Sequence, residues 1–249
     1  MSEEDGTGGL IGLLREKGVV RRERTPLGIV LWALFLYVSG SSSRRVRDLL
    51  EHRVRRSHVA IWKWMQRYGS ALARMFHRER LPETIVVDET SVMEGRRECY
   101  VWIAIDPETR AIVYVAVTEV RNLFAALGFF QAIRREYGAL PRKVVTDGGM
   151  WYPWALRRLG VAHEVVRGGV RNYVERFIET LKDRARSFDK YFPCSLRCDL
   201  KHILHWCRLV VLHYNWVRPH LSRSGRPPLD RYGGAGWERF REALRAALS

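Results

Sequence analysis

Residues 142–149 read RKVVTDGG: two cations, a β-branched run, then Thr146 and Asp147 leading into paired glycines. The run favours a strand, and glycine, having no Cβ, lets the chain turn sharply behind it. What precedes it is helical. In NLFAALGFFQAIRREYG (122–138) Leu123, Leu127, Phe130 and Ile133 fall close to one face, and Gly138 and Pro141 stop the pattern. A strand that returns after a helix lies parallel to its neighbour. This segment therefore decides between a purely antiparallel sheet and a mixed one.

Upstream, LPETIVVDETS (81–91) predicts a first strand over Ile85–Val87 that ends at Asp88. YVWIAID (100–106) and AIVYVAVTEV (111–120) predict two more, joined by a turn at Pro107, so three consecutive strands form an antiparallel meander. Downstream come a short helix in WYPWALRRLG (151–160), a fifth strand in HEVV (163–166) and a longer helix in RNYVERFIETLKDRARSF (171–188). The order predicts an α/β protein: a mixed five-stranded sheet flanked by helices. It resembles the ribonuclease H-like fold.

Before this layer the chain is all α. Residues 1–24 form a basic arm ending in RRER; Thr25 and Pro26 open a helix over LGIVLWALFLYV (27–38), closed by SGSSS (39–43). RRVRDLLEH (44–52) and SHVAIWKWMQRYGSALARMF (57–76) predict two helices with a tight turn between them, the second capped by Ser57. That pair suggests a helix-turn-helix. In such a unit the second helix enters the major groove N-terminus first, which nominates Ser57, His58 and Lys63, with Arg55 and Arg56 of the turn on phosphates.

Composition supports a polyanionic partner. The chain of 249 residues carries 43 Lys and Arg against 27 Asp and Glu, a net charge of +16. Such an excess attracts nucleic acid through counterion release. The most apolar run has only twelve residues, short of the roughly 20 a membrane helix needs, and no small-residue cleavage site follows it. A cytoplasmic, nucleoid-associated protein with no membrane partner is expected. Four cysteines are few for a disulfide framework, and Cys198, His202 and His205, though on one helical face, lack familiar zinc spacing. They read as a packed helix face.

In a fold of this kind the first and fourth strands are neighbours, so Asp88 and Asp147 approach each other. Two such carboxylates repel unless a cation intervenes, and hard divalent ions such as Mg2+ suit them. A third acid must come from the last helix, which offers Glu175, Glu179 and Asp183. Against the stripe Val174, Phe177, Ile178 and Leu181, Glu175 lies closer to the sheet edge than Glu179. Lys182 falls beside Glu175 and suits a DNA phosphate. Trp151, Tyr152 and Trp154, directly after Asp147, serve either base stacking or the core.

Here a resemblance becomes specific. VVDET, AIDPETR, VVTDGG, RNYVERFIETLK and YNWVRPH follow one another as do the motifs of DDE transposases of prokaryotic insertion sequences, the insertion-sequence-six type above all, and HVAIWKW resembles that family's helix-turn-helix. The resemblance spans about residues 25–230 and implies a division into a basic arm (1–24), a helix-turn-helix domain (25–78), a catalytic domain (79–216) and a basic tail (217–249). It implies that Asp88, Asp147 and Glu175 bind two Mg2+ ions, with Mn2+ also suited, and that Lys182 occupies the family's basic position seven residues on. It further implies cleavage of double-stranded DNA at terminal inverted repeats, strand transfer into target DNA, and a homodimer or larger oligomer on DNA. Arg218 and His220 of YNWVRPH serve either as DNA contacts or in a capping turn around Pro219. The interval from Asp147 to Glu175 is shorter than the family's usual one, which keeps Glu179 as second candidate. Two other readings share the scaffold: a catalytically inactive DNA-binding derivative, and a ribonuclease H-like structure-specific nuclease.

Overall fold

A computed structural model describes residues 15–16, 24–75, 80–94, 97–186, 199–220, 224 and 226–229. The three N-terminal helices form where the apolar periodicity places them. Helix α1 (Leu27–Val38) starts behind Pro26, α2 (Ser43–Leu50) is capped by Ser42, whose Oγ accepts from the Arg45 N–H at 3.2 Å, and α3 spans His58–Met75.

Five strands follow: β1 (Thr84–Glu94), β2 (Arg97–Ile105), β3 (Ile112–Thr118), β4 (Lys143–Thr146) and β5 (Ala162–Val165). Their order is β3-β2-β1-β4-β5, with β1, β2 and β3 antiparallel and β4 and β5 parallel to β1. This is the ribonuclease H-like mixed sheet. Between the strands lie α4 (Leu123–Tyr137), α5 (Trp151–Leu159), a 3-10 turn at Gly169–Arg171, α6 (Asn172–Arg186) and α7 (Leu200–Trp216).

Both faces of the sheet are covered, which explains why the strands read as nearly continuous apolar runs. Ile85, Val87, Trp102 and Val144 pack against Phe129, Phe130 and Ile133 of α4 and Tyr152 and Leu156 of α5. On the other face Val86, Val101, Ile103 and Val145 meet Val174, Phe177 and Leu181 of α6. The same core continues through Ile203, Trp206 and Val210 of α7 to Ile61, Met65 and Tyr68 of α3 and to α1. Helix α7 thus lies between the N-terminal helices and β3. At Gly69 of α3 a Cβ would come within 3.1 Å of the His205 carbonyl of α7, so glycine permits the close approach of the two helices.

Two expectations need correcting. Asp88 is not the last residue of its strand, because β1 runs on to Glu94 as one arm of a long hairpin, pairing Asp88 with Ile103 and Glu94 with Arg97. What ends near Asp88 is the parallel pairing: β4 stops at Thr146, and the final registered pair is Val86 with Val145. Helix α7 has no counterpart in the predicted order of elements, although it completes the core.

Its C-terminal end is tied to the sheet by Asn215 of YNWVRPH. The buried carboxamide accepts from the Ile112 N–H and donates to the Ile112 carbonyl, both at 2.8 Å, where β3 begins. Asn215→Ala strands both backbone groups, and we expect a loss of about 1–3 kcal/mol, read as a shifted urea midpoint at unchanged slope.

Candidate active site

Continuing the β1–β4 register by two residues brings Asp147 level with Asp88. Both then lie at the place where the parallel ladder ends and backbone gives way to side chains. Asp88 is buried, with Oδ1 accepting from the Glu89 N–H at 2.9 Å. Burial raises its pKa, hydrogen bonds from Glu89 and Arg171 oppose the rise, and the charge of Asp147 adds to it. Asp147 is exposed, and its Oδ1 accepts from the Gly149 N–H at 2.8 Å. It therefore forms its own turn while presenting a carboxylate beside Asp88.

Gly148 takes φ +90°, and a Cβ there would stand 2.9 Å from Val165 Cγ1. The space beside these glycines is thus filled from within the chain, by Val165 next to Gly148 and by the Trp151 ring next to Gly149, rather than left open above the strand. Gly148→Ala combines a disfavoured backbone with that clash; we expect it to cost about 1–3 kcal/mol of stability, read as a lowered melting temperature.

Glu175 enters from the first turn of α6. Its position follows from the buried stripe Val174, Phe177 and Leu181, which seats the helix on the Asp88 face of the sheet. The link between the two acids is Arg171, in the 3-10 turn just before the helix: one Nη2 lies 3.1 Å from Asp88 Oδ2 and 3.4 Å from Glu175 Oε1. Arg171 is largely buried, and its Nε is a buried donor with no acceptor among the described residues. Glu179 is exposed on the next turn and Lys182 beyond it on the same helix. Among the described residues no three His, Cys, Asp or Glu side chains converge as a metal-binding group. Two of the acids are instead turned toward a guanidinium and the third toward its own turn.

Sequence reasoning missed Arg171 and also Glu89. Alternation along β1 sends Glu89 to the face opposite Asp88, where its side chain is 3% exposed. The buried Tyr152 hydroxyl donates to it, and Arg121 Nη1 lies 3.4 Å away. Burial raises the Glu89 pKa, as do the charges of Asp88 and Asp147, while the Tyr152 bond opposes them. A signal was available: Glu89 follows Asp88 in a strand covered on both faces, so one of the two acids had to be buried on the second face.

The remaining nominated residues are dispersed. Tyr152 belongs to the core; Trp151 is half-buried with the Arg121 guanidinium 4.7 Å from its ring; Trp154 is exposed and pairs edge-on with Phe124. Ser57 Oγ accepts from the Ala60 N–H at 3.3 Å, capping α3, His58 is half-buried beside it, and Arg55 and Lys63 are exposed. Arg56 is engaged within the chain: its Nε donates to Thr25 Oγ1 at 2.8 Å and Nη2 to the Arg24 carbonyl, tying the turn to the start of α1. Arg218 Nη1 donates to Thr180 Oγ1 at 2.8 Å on α6. Cys194 and Cys198 lie outside the described residues; His205 Nδ1 meets Gln66 Oε1 at 3.0 Å and Cys207 is buried with its thiol pKa pushed up by burial, in keeping with a packed face. No helix among the described residues is long and apolar enough to cross a membrane.

The mixed sheet and the paired aspartates where the β1–β4 ladder ends fall within a DDE domain. The chain belongs to the DDE transposase family. Residues 82–191 match the DDE domain model of IS240-type transposases, and over 203 residues the chain is 32% identical to an uncharacterized protein of Methanocaldococcus jannaschii, covering 82% of this chain and 92% of that one. Among solved structures the integrase catalytic core of HTLV-2 in complex with magnesium is 15% identical over 61% of this chain and 98% of its own, at a TM-score of 0.45. A chain of the simian T-cell lymphotropic virus intasome is 12% identical over 81% and 74%, at 0.48.

Proposed function

We propose that this protein is an active transposase that cuts the ends of its element and joins them to target DNA, with Asp88, Asp147 and Glu175 as the metal-binding carboxylates. The observation that carries the reading is the seat of Arg171. A cation already bridges Asp88 and Glu175, and a buried acid facing a second acid is the environment a divalent ion relieves. The donor set is all carboxylate, which fits hard ions such as Mg2+ or Mn2+. Held by Asp88, Asp147 and Glu175, two such ions would supply activation of an attacking water or DNA 3′ hydroxyl and stabilisation of the leaving oxygen.

The chain's own groups do the rest. Asp88 is fixed by the sheet and by the Glu89 N–H; Asp147 is fixed by its turn; Glu175 rides on a helix anchored by three buried side chains. Lys182, exposed on that helix, is suited to hold a DNA phosphate, and Arg121 beside Trp151 offers a second cation near the same strand ends. Residues 25–78 serve as the end-binding module, with Ser57, His58 and Lys63 toward the groove, Arg55 toward a phosphate, Trp151 toward an unpaired base and Arg218 toward the backbone, and residues 79–216 serve as the catalytic unit. Two ends must be held together, so a dimer or larger assembly forms on DNA.

The test uses duplexes carrying the inverted repeats that flank the coding sequence. Joined product in Mg2+ and none in EDTA is expected. Repeat binding without metal-dependent joining would make the protein a DNA-binding derivative, and preferential cutting of RNA:DNA hybrids or four-way junctions would make it a structure-specific nuclease.

A further inference from the structure

The YNWVRPH motif (214–220) closes a second site, distinct from the acids. A cavity of about 350 Å³ lies between α6, the segment after α7 and the β2–β3 turn, walled by Arg110, Arg176, Arg218, Tyr173, Tyr214 and His220. Among the described residues that line it, none is acidic. Three guanidiniums around one open volume repel one another, and an anion there offsets that repulsion.

Each wall is held in place. Arg110 takes φ 63°, a conformation rare outside glycine, in a turn fixed by the Asp106 carboxylate, which accepts from the Glu108 N–H at 2.9 Å and from Thr109 Oγ1 at 2.8 Å. The turn lays the Arg110 guanidinium 4.5 Å from the centre of the Tyr173 ring. Arg218 is held against Thr180 at 2.8 Å, and the Tyr214 ring is gripped edge-on by Phe177 and His220, with centroids 4.8 and 4.5 Å away. The positive field reaches further: burial, then Arg184, Arg218 and His220, holds the neighbouring His213 at about 4.

Guanidinium groups on an aromatic floor suit a phosphate ester, which they bind in a forked geometry. Arg176 directly follows Glu175 on α6, about 100° round the helix, so one strand lying across the helix reaches both the acids and the cavity. We propose that this cavity binds a backbone phosphate of the DNA strand, outside the reacting phosphodiester. The inference rests on DNA being the substrate, as argued above.

The test measures binding of a labelled repeat duplex by fluorescence anisotropy in EDTA, between about 50 and 200 mM salt, where loss of one phosphate contact reduces the magnitude of the log–log salt slope by about 0.9. Arg176→Gln, at an exposed position, and Arg218→Gln are each expected to bind several-fold more weakly with that reduced slope, and Arg176→Gln to keep the wild-type melting temperature. Wild-type slopes in both variants, while the wild-type protein binds duplex, would overturn the cavity assignment alone. Failure of the wild-type protein to bind duplex at all would sink the DNA reading together with it. A melting shift by inorganic phosphate or a deoxynucleoside monophosphate that Arg176→Gln abolishes, with duplex slopes unchanged, would mark a site for free phosphate esters and overturn the DNA assignment.

Discussion

If the proposed metal site is right, Asp147→Asn is expected to lose metal-dependent strand joining by about three orders of magnitude or more, about 4 kcal/mol of transition-state stabilisation, while duplex binding in EDTA stays within about twofold. The substitution separates the two roles of this residue. Asparagine keeps Oδ1, so the bond to the Gly149 N–H at 2.8 Å and the turn persist. What disappears is a negative charge beside Asp88, which the proposed metal site requires and folding does not. The melting temperature is therefore expected to stay the same or rise slightly, since the charge of Asp147 disfavours the ionised forms of Asp88 and Glu89. Joining at wild-type rate by Asp147→Asn would remove this aspartate from the metal site.

Glu175→Gln and Glu179→Gln form the second decisive pair. The first is expected to cut joining by about three orders of magnitude and the second by no more than about twofold. Glu175 shares a guanidinium with Asp88, at 3.4 and 3.1 Å. Glu179 stands one turn on, about 6 Å further along the helix axis. Both variants change an exposed carboxylate on the same helix to its amide, and equal melting temperatures of the two separate a loss of chemistry from the loss of the Glu175–Arg171 ion pair. The reverse result would move the third carboxylate by one turn and leave Arg171 as a purely structural ion pair.

The sheet was legible because its strands are short β-branched runs separated by strong punctuation: Pro107, the Gly138 and Pro141 stop, and the paired glycines after Asp147. The mixed order followed from RKVVTDGG standing behind a helix. The length of β1 was not legible, since Glu89, Thr90 and Ser91 read as the end of a strand, whereas cross-strand pairing with Val101 and Tyr100 carries the strand through them. Helix α7 was read only as a packed helix face around His202 and His205 and had no place in the order of elements, although Ile203, Trp206, Leu209 and Val210 give it an apolar face. Asp88 and Asp147 could be placed side by side from sequence, and Glu175 on the Asp88 face, because a strand partner and a helix wheel constrain their positions. Arg171 could not, since its place between two acids depends on a 3-10 turn that no local pattern announces. Arg56 carries the same lesson in the other direction, for a basic residue in the turn between α2 and α3 proved to be engaged by Thr25 and the Arg24 carbonyl.

The central claim, that Asp88, Asp147 and Glu175 together hold the ions that act on DNA, is tested most directly by anomalous scattering from crystals of the protein with an element-end duplex and Mn2+. The account predicts manganese peaks bounded by these three carboxylates, with the Arg171 guanidinium moved away from Asp88 and Glu175. Arg171 still bridging the two acids, with manganese bound elsewhere or at none of the three, would contradict it.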